Sequence, residues 1–225
     1  MAAQAPAPWS IRSVVFDLDG LMIDTEPVFE ESARRLLARR GLAILPRVLQ
    51  AMMGTPALQA LKIFGDAHGL TETVEELRVE CAQLFAEVLG EKPVPLMPGM
   101  LELLDRLEQK GIPRAIATSS SARYVERIMA PHHLLHRFAF VLTCDDVKLG
   151  KPCPEIYEKA AARLGHSAAE MLVLEDSPNG LRAAKAAGAR CVVVPHALVP
   201  LDDLAGADAI MPGLMAPALL ELLGV

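Results

Sequence analysis

Val14-Val15-Phe16-Asp17-Leu18-Asp19-Gly20 is the stretch on which the reading of this chain turns. A short apolar strand gives way there to a glycine turn, and two carboxylates stand two residues apart at the junction. Side chains at i and i+2 of a strand share a face, so Asp17 and Asp19 repel each other unless a cation sits between them or the chain turns. A magnesium ion held by oxygen ligands would neutralise Asp17 and draw a phosphate towards it. One carboxylate could then attack while the other shuttles a proton. The same residues also suit a plain polar turn closing a strand, and the motif alone leaves both readings open.

Three further clusters follow, each at the end of an apolar run. Ile112 to Thr118 reads as a strand ending in hydroxyls, Thr118-Ser119-Ser120-Ser121, which also suit the cap of a helix starting near Ala122. Lys148-Leu149-Gly150-Lys151-Pro152-Cys153-Pro154 puts a lysine in a loop that enters a helix, with Lys148 as its solvated neighbour. Met171-Leu172-Val173-Leu174 is a strand followed by Glu175-Asp176-Ser177-Pro178-Asn179-Gly180, whose acidic pair also suits the first turn of a helix. All four clusters thus fall at the carboxyl ends of predicted strands, the edge where open α/β sheets bind ligands.

The four clusters in this order resemble the four motifs of the haloacid dehalogenase-like superfamily of aspartate-nucleophile hydrolases. Nearly the whole chain is covered. The likeness is greatest to the branch of β-phosphoglucomutases and small sugar-phosphate or nucleotide phosphatases, through Asp17-Leu-Asp-Gly-Leu-Met-Ile-Asp24-Thr-Glu26-Pro27, Gly150-Lys151-Pro152 and Leu174-Glu-Asp-Ser-Pro-Asn179-Gly. The resemblance implies that Asp17 attacks phosphorus to form an aspartyl-phosphate, and that Asp19 protonates the leaving alcohol and later activates water. It places Thr118, Ser119 and Asn179 against the phosphorylated substrate, and Lys151 on the phosphoryl oxygens as a point charge. It assigns magnesium (Mg2+) to Asp17, Asp19 through its carbonyl, Asp176, and Glu175 directly or through water. Phosphoryl transfer depends mostly on positioning and charge stabilisation, which this set supplies.

The apolar periodicity predicts a strand over 12–16, a helical block from Glu26 to Gly90, and alternating helices and strands from Pro98 onward. Met100, Leu101, Leu103, Leu104 and Leu107 have the spacing of a helix face packed on a sheet, and Gly111 ends that helix. Further strands are expected over 112–117, 139–142, 171–174, 190–194 and 208–210. The pattern predicts an α/β fold, a doubly wound parallel sheet with its first strand central, carrying an inserted all-helical cap. The expected boundaries are 1–23 and 96–225 for the core and 24–95 for the cap. Ile23-Asp24 and Lys92-Pro93-Val94-Pro95 serve as hinges, and Met52-Met53-Gly54-Thr55 either faces the site or only turns between helices.

The chain departs from β-phosphoglucomutases at two places. They carry a histidine five residues after the aspartate matching Asp24, and an arginine three residues after the cap glycine; this chain has Phe29 and Ala57. Alanine cannot grip a second phosphate, so the expectation shifts from mutase towards hydrolysis. Asp19 and Glu175-Asp176 speak against carbon-attacking dehalogenases. Nothing around Lys62, the one lysine well inside the cap, prepares it for the Schiff base of a phosphonate hydrolase. A binding protein that had lost the chemistry would be expected to lack Asp17, Asp19, Lys151 or Asp176, and all four are present.

Composition narrows the partners. The 225 residues are 52% hydrophobic, enough for one core with or without a small satellite. A net charge of −6 and the lack of a basic run argue against a nucleic-acid polymer, leaving a small phosphorylated metabolite. No apolar run reaches the roughly 18 residues of a membrane span, and Met1 to Ser10 lacks the features of a secretory signal. A cytoplasmic monomer is expected. Cys81, Cys144, Cys153 and Cys191 show no metal-ligand spacing and are expected as free thiols. His132-His133-x-x-His136 has no partner ligand nearby and reads as a polar helix end and loop.

Overall fold

The structure, a computed structural model, describes residues 9–52, 57–195 and 199–225. Among these, six strands form one parallel sheet: β1 (Ser13–Phe16), β2 (Arg114–Ala117), β3 (Val141–Leu142), β4 (Met171–Glu175), β5 (Arg190–Val193) and β6 (Ala209–Ile210). Their order is β3-β2-β1-β4-β5-β6, so β1 lies inside the sheet, as the sequence pattern predicts. Alternation along the strands builds two separate apolar layers. Val14, Phe16, Leu172 and Leu174 face one cluster, while Val15, Val173 and Cys191 face the other.

The first layer is covered by α5 (Met100–Gln109), α6 (Ala122–Met129) and α9 (Pro217–Leu223). Met100, Leu103, Leu104 and Leu107 of α5 are all fully buried, the face that their spacing predicts. Gly111 closes this helix at φ 65°, where its amide reaches Glu108 and the Ile112 amide returns to Leu107. The second layer is covered by α7 (Glu155–Leu164) and α8 (Pro178–Ala186). Small residues on these helices, Ala160, Ala183 and Ala184, let them lie close to the sheet.

Strand limits differ from the expected ones for reasons of hydrogen bonding. β2 begins two residues later than predicted because Pro113 gives its carbonyl to Val14 but has no N–H to return. β3, at the sheet edge, shrinks to two residues. β4 gains one, since Glu175 pairs with Val193 and accepts from the Val194 amide. This places Glu175, with no exposed surface, inside the strand rather than after it.

Between β1 and α5 stand α1 (Glu26–Ala38), α2 (Pro46–Met52), α3 (Ala57–His68) and α4 (Val74–Glu91). They bury a third cluster of their own, centred on Leu36, Leu37, Phe64, Leu77 and Leu84. A reciprocal capping box, Thr73 with Glu76, starts α4. The chain leaves β1 and returns to α5 along paired backbones: Asp24 N donates to Pro95 O and Met97 N to Met22 O, both at 2.9 Å, flanking a bridge from Ile23 to Leu96. His132 contacts the Val94 carbonyl at 2.8 Å, a helix-end role. Met53, Gly54 and Thr55 lie outside the described residues. Among the described residues no helix is long and apolar enough to cross a membrane.

Candidate active site

The sheet order sets β2, β1 and β4 side by side, and their carboxyl ends bring Thr118, Asp17 and Glu175-Asp176 together. Asp17 follows β1 directly, its amide held by Leu174 O at 2.9 Å. Beyond it the chain is anchored by Leu18, Leu21, Met22 and Ile23, all fully buried, so the carboxylates ride on a rigid loop. Gly20 permits the turn on two grounds. Its φ is 78°, and a side-chain carbon there would stand 2.2 Å from Asp176 Oδ2.

Lys151 is the hub. Its buried ammonium donates to Asp17 Oδ1 at 2.5 Å, Glu175 Oε1 at 2.6 Å and the Ala117 carbonyl at 3.0 Å. Burial works against its charge, but Asp17 and Glu175 outweigh that and push its pKa above the ordinary lysine value. Asp17 moves in the opposite sense to a usual salt-bridged acid. Burial raises it to about 7 against the pull of Lys151, with Glu175 and Asp19 adding repulsion. Asp19 is also raised by burial, while hydrogen bonds from Tyr124 and Ser120 favour its charged form. Tyr124 Oη donates to Asp19 Oδ1 at 2.6 Å and Ser120 Oγ to Oδ2 at 2.7 Å.

Asp17, Asp19, Lys151 and Asp176 line a cavity of about 300 Å³ together with Gly20, Thr25, Glu26 and Phe29. Ser119 is exposed in it, beside the buried Thr118, whose hydroxyl accepts from the Ser120 amide at 3.0 Å. Asn179 also lines the cavity, with its Oδ1 taken by Arg182 at 2.6 Å. Lys148 is exposed outside it. Lys62 sits on α3 in an exposed ion pair with Asp66 at 2.8 Å, away from the cavity residues. Every residue proposed for the site from the sequence is therefore gathered at one sheet edge.

The sequence profile of haloacid dehalogenase-like hydrolases matches residues 14–194, from the second residue of β1 to one residue past the end of β5. The chain belongs to the haloacid dehalogenase-like hydrolase family. It is 33% identical over 214 residues to (DL)-glycerol-3-phosphatase 1, mitochondrial, of Arabidopsis thaliana, covering 92% of this chain and 71% of that relative. It is also 33% identical over 182 residues to the phosphorylated carbohydrates phosphatase of Thermotoga maritima, covering 79% and 82% respectively. Among solved structures, CbbY from Rhodobacter sphaeroides in complex with phosphate aligns with a TM-score of 0.75 at 27% identity, over 94% of this chain and 99% of that one.

The donor set of this haloacid dehalogenase-like hydrolase fits a hard divalent cation. Asp17, Glu175 and Asp176 place carboxylate oxygens within 4.8 Å of one another, and no other such group occurs among the described residues. Asp176 has its pKa pushed well up by burial and by repulsion from Asp17 and Glu175, a strain that an oxygen-bound cation relieves. Glu175 is differently placed. Its Oε1 accepts from Lys151 and Tyr157, and its Oε2 from the amides of Asp176 and Ser177 and from Ser177 Oγ. Both oxygens are engaged by protein donors, which suits an outer position better than direct ligation.

Two contributors, Tyr124 and Tyr157, lie outside the sequence motifs, and two more, Ser120 and Gly180, lie inside them with no role assigned from the sequence. Ser120 and Tyr124 grip Asp19 from 101 and 105 residues away. Tyr157 Oη reaches Glu175 Oε1 at 2.6 Å from the sheet's other face. Gly180 lies so close to Glu175 that a side-chain carbon there would stand 1.7 Å from Oε1. Ser120 and Gly180 had a local signal, the one in the hydroxyl run after β2 and the other five residues after Glu175.

Proposed function

We propose that the chain is a magnesium-dependent phosphomonoester hydrolase that acts on a small phosphorylated metabolite through an aspartyl-phosphate on Asp17. The observation that carries this reading is the placement of Lys151 between Asp17 and Glu175, with Asp19 held apart by Ser120 and Tyr124. Two neighbouring carboxylates are thereby given different partners and different tasks. The phosphatase names of the two relatives and the phosphate bound to CbbY agree with it.

In the first half-reaction an Asp17 oxygen attacks phosphorus, the ester P–O bond breaks, and the leaving alkoxide takes the proton of Asp19. In the second, Asp19 recovers a proton from water, the hydroxide attacks phosphorus, and the bond to Asp17 breaks. The net change is ester plus water to alcohol plus phosphate. Lys151 stabilises charge on the phosphoryl oxygens, and Thr118 with Ser119 supplies hydrogen bonds to them. Asp17 and Asp176, with the Asp19 carbonyl, would hold the metal ion, and Glu175 would fix Lys151 and reach the ion through water. The ion, when bound, supplies positive charge for the phosphoryl oxygens.

Residues 24–95 form a cap over a core of 1–23 and 96–225, hinged at Ile23-Asp24 and Lys92–Pro95. The separate apolar cluster of α1 to α4 supports that division. Four free thiols are compatible with a reducing compartment, the cytoplasm.

Phosphate release from a panel of phosphorylated metabolites tests the reading, with magnesium or chelator and with wild type or Asp17→Asn. Release should require magnesium and fall by about a thousandfold or more in the variant. Release indifferent to chelator, or retained in Asp17→Asn, overturns it. Transfer to a second sugar phosphate faster than to water would make the protein a phosphotransferase instead.

A further inference from the structure

Beside the catalytic cavity lies a larger open cleft of about 650 Å³, lined by α1, α4 and α6. The two share Phe29, an aromatic residue left 51% exposed. Its ring leads into a row: Phe29 to Phe85 at 4.6 Å between centroids, then Phe85 to Tyr124 at 5.9 Å. Tyr124 belongs to both spaces in effect, for its ring lines the larger cleft while its hydroxyl holds Asp19. Ala82, Cys81 and Leu89 complete an apolar lining.

Among the polar side chains at this wall, the exposed Arg123 has no partner among the described residues, and the others are engaged. Ser32 Oγ donates to the Val28 carbonyl, Ser121 Oγ accepts from the Tyr124 amide, and Arg127 donates to the Ala86 carbonyl. Hydroxyls of a polyol placed there would lose water and find few partners, which is costly. A flat apolar group would meet ring faces and edges instead. The position relative to Asp19 matters too. Asp19 protonates the leaving oxygen, so the space next to its hydroxyl partner is where the rest of the leaving alcohol must go.

We infer that this cleft takes the leaving group of the substrate, and that the preferred leaving groups carry a planar aromatic ring. This rests on the phosphomonoesterase reading above. The ring could belong to a nucleoside or to an arylalkyl alcohol, since the chemistry of recognition is shared.

The test compares esters that differ in the ring and not in the reacting bond. Magnesium-loaded full-length protein is assayed for kcat/KM on uridine 5′-monophosphate against ribose 5-phosphate, and on 2-phenylethyl phosphate against glycerol 3-phosphate. The aromatic member of at least one pair should lead by about tenfold or more, and the pair that leads identifies the source of the ring. Phe85→Leu, which keeps apolar bulk, and Phe85→Ala should each reduce that preference several-fold, chiefly through KM. Equal or better turnover of both aliphatic members, or a preference unchanged in the folded Phe85→Leu protein, overturns the inference and leaves the hydrolase reading standing. Silence on all four esters and across the wider panel overturns both.

Discussion

Glu175 has no exposed surface and accepts hydrogen bonds on both oxygens, an arrangement possible only because Gly180 offers no side chain. Helix propensity alone would make Gly180→Ala stabilising by about 1 kcal/mol in α8. The close approach to Glu175 reverses that expectation. The substitution should lower the denaturation midpoint and reduce kcat by about tenfold or more, because a displaced carboxylate no longer steadies Lys151. An unchanged midpoint together with unchanged kcat would contradict the crowding. Tyr124→Phe keeps the ring and removes one of the two donors to Asp19. A hydrogen bond to a charged group is worth about 1.5–3 kcal/mol, so kcat should fall by about tenfold while urea denaturation stays close to wild type. Wild-type kcat would show Ser120 to be enough. At this scale the sequence was legible where chemistry and fold coincide: Asp17, Thr118 and Asp176 each end an apolar run, so one local pattern reports both. Tyr124 and Tyr157 carry no such mark, because their partners are fixed only once helices settle on the sheet.

At the scale of elements, α8, β5 and the start of β6 meet on Asp208. Its Oδ2 accepts from Lys185 at 2.6 Å and from the Cys191 amide at 2.8 Å, and its Oδ1 from Arg190 at 3.0 Å. Burial opposes ionisation, but these donors prevail and hold the carboxyl below its ordinary value. A group depressed in the folded state stabilises above its unfolded pKa, about 3.9, and that contribution fades as pH falls through the folded value. Asp208→Asn should therefore cost about 1–3 kcal/mol near neutral pH. In denaturant titrations the gap to wild type should close below about pH 4; a gap that persists at low pH would exclude the carboxylate as its source. The expected strand positions were legible from apolar runs, while their limits were not. Pro113 shortens β2 through a missing donor, and Glu175 joins β4 because Val193 and Val194 provide partners for its backbone.

On the scale of the whole molecule, two apolar layers flank the sheet and a third cluster sits among α1 to α4. Phe64, 1% exposed, belongs to that third cluster alone. Phe64→Ala should cost about 3–5 kcal/mol and accelerate amide exchange across residues 26–91 while sheet amides keep their protection. Uniform acceleration would mean that the helices and the sheet open as one. A helical block between β1 and the second strand was legible from the sequence as Glu26 to Gly90, where α1 to α4 lie, yet the pairing of the two connecting segments was not. That pairing has a consequence for which residues can stand there. The bonds from Asp24 to Pro95 and from Met97 to Met22 are made by main-chain atoms, which almost any residue supplies. The segment between them thus joins the sheet through junctions that make little demand on residue identity, and side chains there can change without disturbing the paired backbones.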